Sequence, residues 1–110
     1  MFKKSERLSQ VAFDAFFKQG VRHHTTYLTL ITTPYPTRKV AVVVGKKVAK
    51  SAVKRNLLRR RIYAVLRRQL DELKFQGVLI VLAKPTFVQL SRHEAQAVIE
   101  AAVAEVVKST

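Results

Sequence analysis

The chain has 110 residues, of which 48% are hydrophobic, 21 are Lys or Arg, 7 are Asp or Glu, and none is Cys. This composition excludes a disordered tail, disulfides, thiolate metal sites and thiol nucleophiles, and it favours a cytoplasmic protein with one domain over residues 1–110. The longest uninterrupted apolar runs, residues 40–44 and 78–83, are too short to span a membrane, and no apolar segment follows the charged N-terminus as a secretory signal requires.

The net charge of +14 is concentrated in the middle of the chain. No acidic residue lies between Asp14 and Asp71, whereas 14 of the 21 Lys and Arg do. The charges of the two flanking segments nearly cancel. A charge that is segregated in this way repels itself, so we expect the folded chain to bind a polyanion. Nucleic acid is the first candidate, and an anionic membrane surface is the second.

The first half of the chain predicts one helix followed by strands. The helix begins after Ser9, a good N-cap, extends to Lys18 and stops at Gly20. β-Branched and aromatic residues, with Pro and Gly at the ends of the runs, then indicate strands at residues 25–33 and 40–44, and more weakly at 21–23.

The second half predicts a long helix, a buried strand and a last helix. The long helix covers residues 51–73, and the apolar run at 77–83 is typical of a strand buried on both faces. Ser91 and Glu94 form a capping box that starts the last helix, which continues to about Lys108. The element order predicts one mixed sheet with three helices packed on it, in an α+β or α/β sandwich.

The long helix carries the densest positive charge. Residues 50–68 include eight Lys or Arg and no acidic residue. Helical periodicity predicts an apolar side of the helix that packs on the sheet. It consists of Leu58, Ile62, Val65, Leu66, Gln69 and Leu73. A separate polar stripe consists of Asn56, Arg59, Arg60, Tyr63 and Arg67. Charge runs are often only solvated faces, but like charges at this spacing destabilise a helix unless a ligand neutralises them.

Arginine and asparagine in this stripe indicate a nucleic-acid ligand. The Arg side chain is a planar fork that binds phosphate through two hydrogen bonds. Asn56 offers both a donor and an acceptor, which can fix a geometry at a sugar or base edge. We therefore interpret the helix as the binding element for a folded nucleic acid.

Four motifs in the right order resemble the protein subunit of bacterial ribonuclease P. The segment AVKRNLLRRRI, preceded by VVVGKKVAKS, is similar to the family signature through Lys46, Lys47, Ala52, Val53, Arg55, Asn56, Arg59 and Arg60. RLSQVAFDAFFKQG is similar to the first helix of the family, with Phe13 and Phe17 as its aromatic pair. VLIVLAKP and the following SRHEA are similar to the last strand, its basic-Pro turn and the final helix.

The resemblance implies an RNA-binding subunit of a tRNA-processing endonuclease. Such a chain binds a catalytic RNA, one protein to one RNA, and helps to remove the 5′ leader of precursor tRNA. The implied RNA-subunit contacts are Lys50, Lys54, Arg55, Asn56, Arg59, Arg60, Arg61, Tyr63 and Arg67. The implied leader cleft contains Phe13, Phe17, Lys46 and Lys47. The family fold has a four-stranded sheet and a left-handed strand–helix–strand crossover, whereas general rules favour the right-handed form.

Two departures from the family pattern leave parts of these sites open. Leu57 stands where the family usually has a second Arg, and Tyr63 stands near the position of another helix Arg. No strand aromatic clearly matches the one that often lines the cleft, so Tyr27 and Leu30 are both candidates. Phe13 and Phe17 are equally compatible with a stacking platform and with ordinary core packing.

No pattern in the sequence suits catalysis by the protein itself. Adjacent His23 and His24 point to opposite faces of a strand, and His93 is far away in sequence. We expect no catalytic residue and no metal ligand on this chain, because in the family the RNA, with its Mg²⁺ ions, cleaves the phosphodiester. The alternative is a ribosomal or other structural RNA-binding protein, which leaves the aromatic pair without a role. A DNA-binding or membrane-surface module is disfavoured, because no helix-turn-helix pair is present.

Overall fold

The computed structural model describes residues 4–108 and contains three α-helices and four strands in that part of the chain. The ends of the predicted 1–110 domain, residues 1–3 and 109–110, lie outside the described residues. The helices are α1 (Gln10–Gln19), α2 (Ala52–Leu73) and α3 (Arg92–Lys108). The strands are β1 (Val21–His24), β2 (Leu28–Thr33), β3 (Arg38–Val43) and β4 (Gly77–Ala83). Short 3₁₀ helices cover Lys4–Glu6 and Pro85–Gln89.

The four strands form one mixed sheet in the order β1-β2-β4-β3. β1 pairs antiparallel with β2, β2 pairs antiparallel with β4, and β3 pairs parallel with β4. Helix α2 connects the parallel neighbours β3 and β4, so the strand–helix–strand crossover is present. The predicted α+β class with a four-stranded mixed sheet and three helices is therefore confirmed, while the left hand of the crossover stays a prediction.

The predicted helix starts are confirmed by their capping contacts. The hydroxyl oxygens of Ser9 and Ser51 accept hydrogen bonds from backbone N–H groups three residues later. At α3, the Ser91 N–H donates to Glu94 Oε1 at 2.9 Å, and the Glu94 N–H donates to Ser91 Oγ at 3.1 Å. The Ser91 bonds favour the carboxylate form and lower the pKa of Glu94.

The starts of two strands differ from the prediction for local reasons. β2 begins at Leu28 rather than Thr25, because the Thr25 hydroxyl accepts the N–H groups of Tyr27 and Leu28 and closes a turn there. β3 begins at Arg38 rather than Val40, since Arg38 and the next residue already pair with β4. Their charged side chains break the apolar pattern from which the strand was predicted.

Gly20 follows α1 because the backbone passes close to the sheet there, and not because of a left-handed φ. Its φ of −70° is accessible to every residue. A Cβ at this position would lie 2.3 Å from Cγ2 of Ile31, so a side chain would collide with the sheet. The glycine therefore permits the close approach of α1 to β2.

The two faces of the sheet carry different partners. On one side, which we call the helical face, Leu28, Leu30, Val40, Val42, Leu79 and Val81 pack against α2 and α3. On the other side, which we call the cleft face, Ile31, Val78 and Ile80 pack against the Phe residues of α1. The cleft face is covered by one short helix, and this leaves part of it accessible.

The apolar side of α2 differs from the prediction near its end, where fully buried Leu70, which was not predicted, takes the place of Leu73. Ile62 and Leu66 are fully buried, as expected, whereas Leu73 is 41% exposed. The helix ends at Leu73, and Lys74 adopts a left-handed conformation with φ 53°. This turn directs Phe75, which is 8% exposed, into the core instead.

Candidate nucleic-acid interface

Phe13 and Phe17 form a stacked pair on the surface of α1 that faces the sheet. Their ring centroids lie 5.6 Å apart at an interplanar angle of 28°, as expected for residues four apart on a helix. Both rings are half-buried and pack at the edge of the cleft-face cluster. Phe16 instead makes an edge contact with Tyr35, with ring centroids 5.5 Å apart. The pair is therefore neither fully core nor fully exposed.

Arg22 of β1 adds a positive charge to this aromatic pair. Its guanidinium carbon lies 4.5 Å from the centroid of the Phe17 ring, within the range of a cation–π interaction. Nη2 of the same side chain donates to the Phe17 carbonyl oxygen at 3.1 Å. Arg22 thus fixes the end of α1 and places a cation directly over an aromatic face.

The strand register defines the remaining surface of the cleft. His24, Thr29, Leu82 and Val43 occupy one row across the four strands and share the cleft face. His24 Nδ1 lies 3.1 Å from Thr29 Oγ1. Leu82 and Val43 are half-buried. We define the cleft by Phe13, Phe17, Arg22 and this row.

Neither strand residue proposed from the sequence lines the cleft. Leu30 is fully buried on the helical face, and Tyr27 packs against the same cluster. The strand positions that do border the cleft carry the aliphatic side chains of Leu82 and Val43. Sequence periodicity could not assign them, because residues of β4 and β3 align with those of β1 and β2 only through the non-local pairing of the sheet.

Lys46 and Lys47 lie in an exposed turn directly after β3. This turn is closed by hydrogen bonds from the N–H groups of Val48 and Ala49 to the Gly45 carbonyl, at 3.1 and 3.3 Å. Since Val43 at the end of β3 borders the cleft, the two Lys residues follow the strand at the same end of the sheet.

The residues predicted to contact an RNA subunit differ in their exposure. Those that are exposed are Lys50, Lys54, Asn56, Arg60, Arg61 and Arg67. Arg55, Arg59 and Tyr63 are half-buried. The structure brings these residues together on and beside α2, but they do not form one uniform stripe, because Arg61 lies on the side of α2 that faces α3.

Arg55 holds the backbone that precedes α2. Its Nη1 donates to the carbonyl oxygens of Ala49 and Lys50, at 3.0 and 2.7 Å. A guanidinium that is engaged in this way stabilises the entry into the helix. Part of the hydrogen-bonding capacity that the sequence assigns to nucleic acid is therefore used inside the protein.

Asn56 orients a neighbouring arginine. Its side-chain oxygen accepts a hydrogen bond from Nη2 of Arg59, one turn further along the helix. The acceptor that the sequence analysis assigns to a sugar or base edge is thus occupied within α2. Its amide N–H₂ group still offers donors at the exposed surface.

Leu57 creates an apolar area within the basic surface. It is 45% exposed, and Val53 one turn earlier is 78% exposed. The replacement of the arginine usual in the resembled family therefore changes the surface itself and not the core.

The acidic residues lie at the margins of the basic helix. Arg38 contacts Glu6 at 2.5 Å and Asp71 at 2.7 Å. Burial opposes its charge, but hydrogen bonds to Asp71 and Glu6 outweigh that effect and raise the pKa of Arg38. Arg68 and Glu100 approach to 3.6 Å at the surface.

Two other features are absent from residues 4–108. No group of three or more His, Cys, Asp or Glu side chains in this range is arranged to hold a metal ion. No helix in the same range is long and apolar enough to cross a membrane.

Comparison with known proteins assigns this arrangement to a family. The sequence model described as Ribonuclease P matches residues 2–107, which is nearly the whole chain. The chain belongs to the ribonuclease P family. A Ribonuclease P protein component from Synechococcus sp. (strain JA-2-3B'a(2-13)) is 39% identical over 79 residues, covering 66% of this chain and 59% of that protein. One from Microcystis aeruginosa is 38% identical over 78 residues, covering 63% and 64%.

The matched region is less than two thirds of the length of these two relatives. The fold is also that of a solved family member. The ribonuclease P protein from Thermotoga maritima superposes with a TM-score of 0.76 at 18% identity, covering 96% of this chain and 97% of that chain. At this identity the similarity establishes the fold of the ribonuclease P protein, and the roles of individual residues stay predictions.

Proposed function

We propose that this chain is the protein subunit of ribonuclease P, which binds a catalytic RNA and the 5′ leader of precursor tRNA. The observation that carries the proposal is the pair of opposed surfaces. A basic helix covers one side of the sheet, and an open aromatic cleft lies on the other. A purely structural RNA-binding protein needs the first surface but has no use for the second.

The cleft has the chemistry of a site for single-stranded RNA. Stacked Phe13 and Phe17 offer a platform for a base, since every base has a face that stacks on aromatic rings. Arg22 over Phe17 contributes a cation beside the stack, and Lys46 and Lys47 are placed to attract the phosphates. Leu82 and Val43 carry no hydrogen-bonding side chain, so this part of the cleft favours binding with little sequence discrimination.

The basic surface of α2 has the chemistry of a site for the RNA subunit. Its exposed cations include Lys54, Arg60, Arg61 and Arg67, together with Lys50 just before the helix. The hydrogen bond from Arg59 to Asn56 holds a guanidinium in a fixed orientation, which lowers the entropy lost when it binds phosphate. These side chains neutralise RNA phosphates and release counterions.

In this proposal the protein makes no covalent contribution to cleavage. The RNA subunit and the Mg²⁺ ions it holds activate the water that attacks the phosphodiester. The cations of the protein reduce the repulsion between the leader and the RNA subunit. Their effect should therefore be greatest at low Mg²⁺ concentration, where fewer metal ions screen the phosphates.

Reconstitution with a bacterial ribonuclease P RNA tests the proposal. The chain should restore cleavage of precursor tRNA at a Mg²⁺ concentration at which the RNA alone is nearly inactive. The chain without RNA should leave the same substrate intact. Cleavage of precursor tRNA by the protein in the absence of RNA would contradict the assignment of catalysis to the RNA subunit. A protein that binds the RNA without any gain in cleavage would instead favour a structural RNA-binding role.

A further inference from the structure

A second concave surface lies on the other side of the sheet from the cleft, between α2 and the start of α3. This groove has a volume of about 390 Å³. Its apolar floor includes Leu58, Val65, Phe87, Leu90 and Ile99. Ligand sites usually occupy about 300–1,000 Å³, so the groove is large enough for one small ring system with a substituent.

Helix α2 lines the groove with a regular alternation of charge and apolar surface. Lys54, Leu58, Arg61, Val65 and Arg68 follow one another at spacings of four and three residues, which places them on one side of the helix. The three cations are each seven residues apart, or roughly 10 Å along the helix axis. Apolar side chains therefore lie between successive positive charges.

The rim of the groove is positively charged overall. Lys54 and Arg61 come from α2, and Arg92 comes from the first residue of α3. In the described part of the chain, no ion pair engages any of these three side chains. Arg68 has a partner in Glu100, but the two side chains are 56% and 43% exposed and 3.6 Å apart, so solvent screens the interaction.

The geometry points to one unstacked nucleotide of the RNA subunit as the occupant of this groove. A nucleotide combines the two parts that the groove requires, a flat base for the apolar floor and a phosphate for the cationic rim. Gln96, which is half-buried and also lines the groove, offers a neighbouring donor and acceptor, the pair that an adenine edge matches. This inference rests on the proposed function, since it adds a second contact to the same RNA subunit.

Methyl NMR of the full chain, titrated with adenosine 5′-monophosphate, tests the inference. The methyl signals of Leu58, Val65 and Leu90 should shift with this nucleotide. Adenosine, which lacks the phosphate, and ribose 5-phosphate, which lacks the base, should each bind at least about fivefold more weakly. The first loses the charge-assisted hydrogen bonds of the rim, and the second loses the burial of the base against the apolar floor. Core methyl signals report whether each protein variant is still folded.

Two charge variants, one at the rim and one outside the groove, separate binding in the groove from general electrostatic attraction. Arg61→Gln removes a cation from the rim and should weaken nucleotide binding at least about fivefold. Lys108→Gln removes the same charge from an exposed position at the end of α3, outside the groove, and should leave nucleotide affinity within about twofold. Equal effects of the two substitutions would overturn the inference, because the charge alone would then explain the attraction.

Three further outcomes would also overturn it. Equal affinities of ribose 5-phosphate and the nucleotide would leave the apolar floor without a role. The nucleotide could shift only the Leu82 and Val43 methyl signals, which would place it in the cleft. A peptide rich in Glu and Leu could shift the groove methyl signals while the nucleotide does not, which would identify a protein-docking surface.

Methyl spectra of the complex with the RNA subunit distinguish this inference from the proposed function. If the RNA binds and the groove signals shift, both stand. If the RNA binds and cleavage is restored while the groove signals of Leu58 and Val65 stay in place, the inference alone fails. If the RNA does not bind, the proposed function fails and the inference fails with it.

Discussion

Replacement of Phe17 by Ala tests the role of the cleft most directly. The substitution removes the ring that stacks on Phe13 and that lies under the Arg22 guanidinium. The backbone carbonyl to which Arg22 donates is retained. We therefore expect the surface of the cleft to change while the end of α1 keeps its backbone hydrogen bond.

The expected loss of precursor-tRNA affinity and the expected loss of folding stability can be estimated separately. Stacking of a base on an aromatic ring contributes about 1–3 kcal/mol, so precursor tRNA should bind about 5- to 150-fold more weakly. Loss of the aromatic pair costs about 0.5–1.5 kcal/mol of folding free energy, loss of the cation–π contact costs about 0.5–1 kcal/mol, and loss of the apolar contacts of the half-buried ring adds about 1–2 kcal/mol. A typical domain has about 5–15 kcal/mol of stability, so the variant should stay folded.

The assay compares two substrates bound by the reconstituted complex. Equilibrium binding is measured for precursor tRNA, which has the leader, and for mature tRNA, which lacks it. Phe17→Ala should weaken only the first. Phe16→Ala is the matched control, because Phe16 belongs to the same helix but packs against Tyr35 rather than in the stacked pair. The control should lose stability without losing discrimination between the substrates.

Two results would refute this reasoning. If Phe17→Ala weakens both substrates equally, the ring serves the fold or the RNA subunit and not the leader. If Phe16→Ala and Phe17→Ala reduce precursor binding by the same factor, the loss follows from destabilisation of α1. Thermal unfolding of both variants, measured in parallel, identifies the second case.

Three more predictions concern charge, pH and the backbone. Arg60→Ala should lower the slope of log affinity against log salt for the RNA subunit by about 0.7–0.9. Arg55→Ala, which loses two internal hydrogen bonds, should instead lower the unfolding free energy by about 1–3 kcal/mol. The reverse pattern in salt titrations and denaturant unfolding would contradict these two roles. The hydrogen bonds with Ser91 lower the pKa of Glu94, so the capping box stabilises the fold above the ordinary carboxyl pKa and loses this effect as the pH falls through the lowered pKa. The melting temperature should therefore drop more between about pH 6 and pH 3 in the wild type than in Glu94→Gln. Equal drops in the two proteins would count against this role of the Glu94 carboxylate. Lys74→Gly should raise the melting temperature by about 2–4 °C, because the φ of 53° at this residue lies in the left-handed region that glycine adopts without strain. A decrease measured by calorimetry would mean that the contacts of the lysine side chain outweigh the strain of its backbone.

Local sequence signals were sufficient for most of the secondary structure. Ser9, Ser51 and the Ser91–Glu94 capping box act within one turn of a helix, so their effect can be predicted without knowledge of the fold. The β4 strand was predicted with its observed bounds, Gly77–Ala83, because an apolar run buried on both faces does not depend on which strand lies beside it.

The composition of the cleft could not be predicted because it depends on distant parts of the chain. Phe13 and Phe17 were recognised as a pair since both lie on one helix. Leu82 and Val43 enter the same surface only through the pairing of β2, β4 and β3. Arg22 belongs to the weakly indicated strand β1, and its contact with Phe17 requires α1 to cross the sheet at the distance that Gly20 permits.

The basic helix shows a different limit of sequence reasoning. The charge density of α2 is evident from the sequence, but the internal roles of Arg55 and Asn56 are not. Both roles depend on side-chain geometry at the start of the helix. A count of cations therefore overestimates the number of side chains that are fully available to RNA.

The position of β4 between β2 and β3 has a consequence for biosynthesis. Translation delivers the chain from its N-terminus, so α2 leaves the ribosome before the strand that joins the two parts of the sheet. Until residue 83 has emerged, β3 lacks the neighbour with which it forms its parallel ladder, and the apolar side of α2 lacks a completed surface to cover. Nascent chains that stall before this point should be susceptible to proteases and to aggregation.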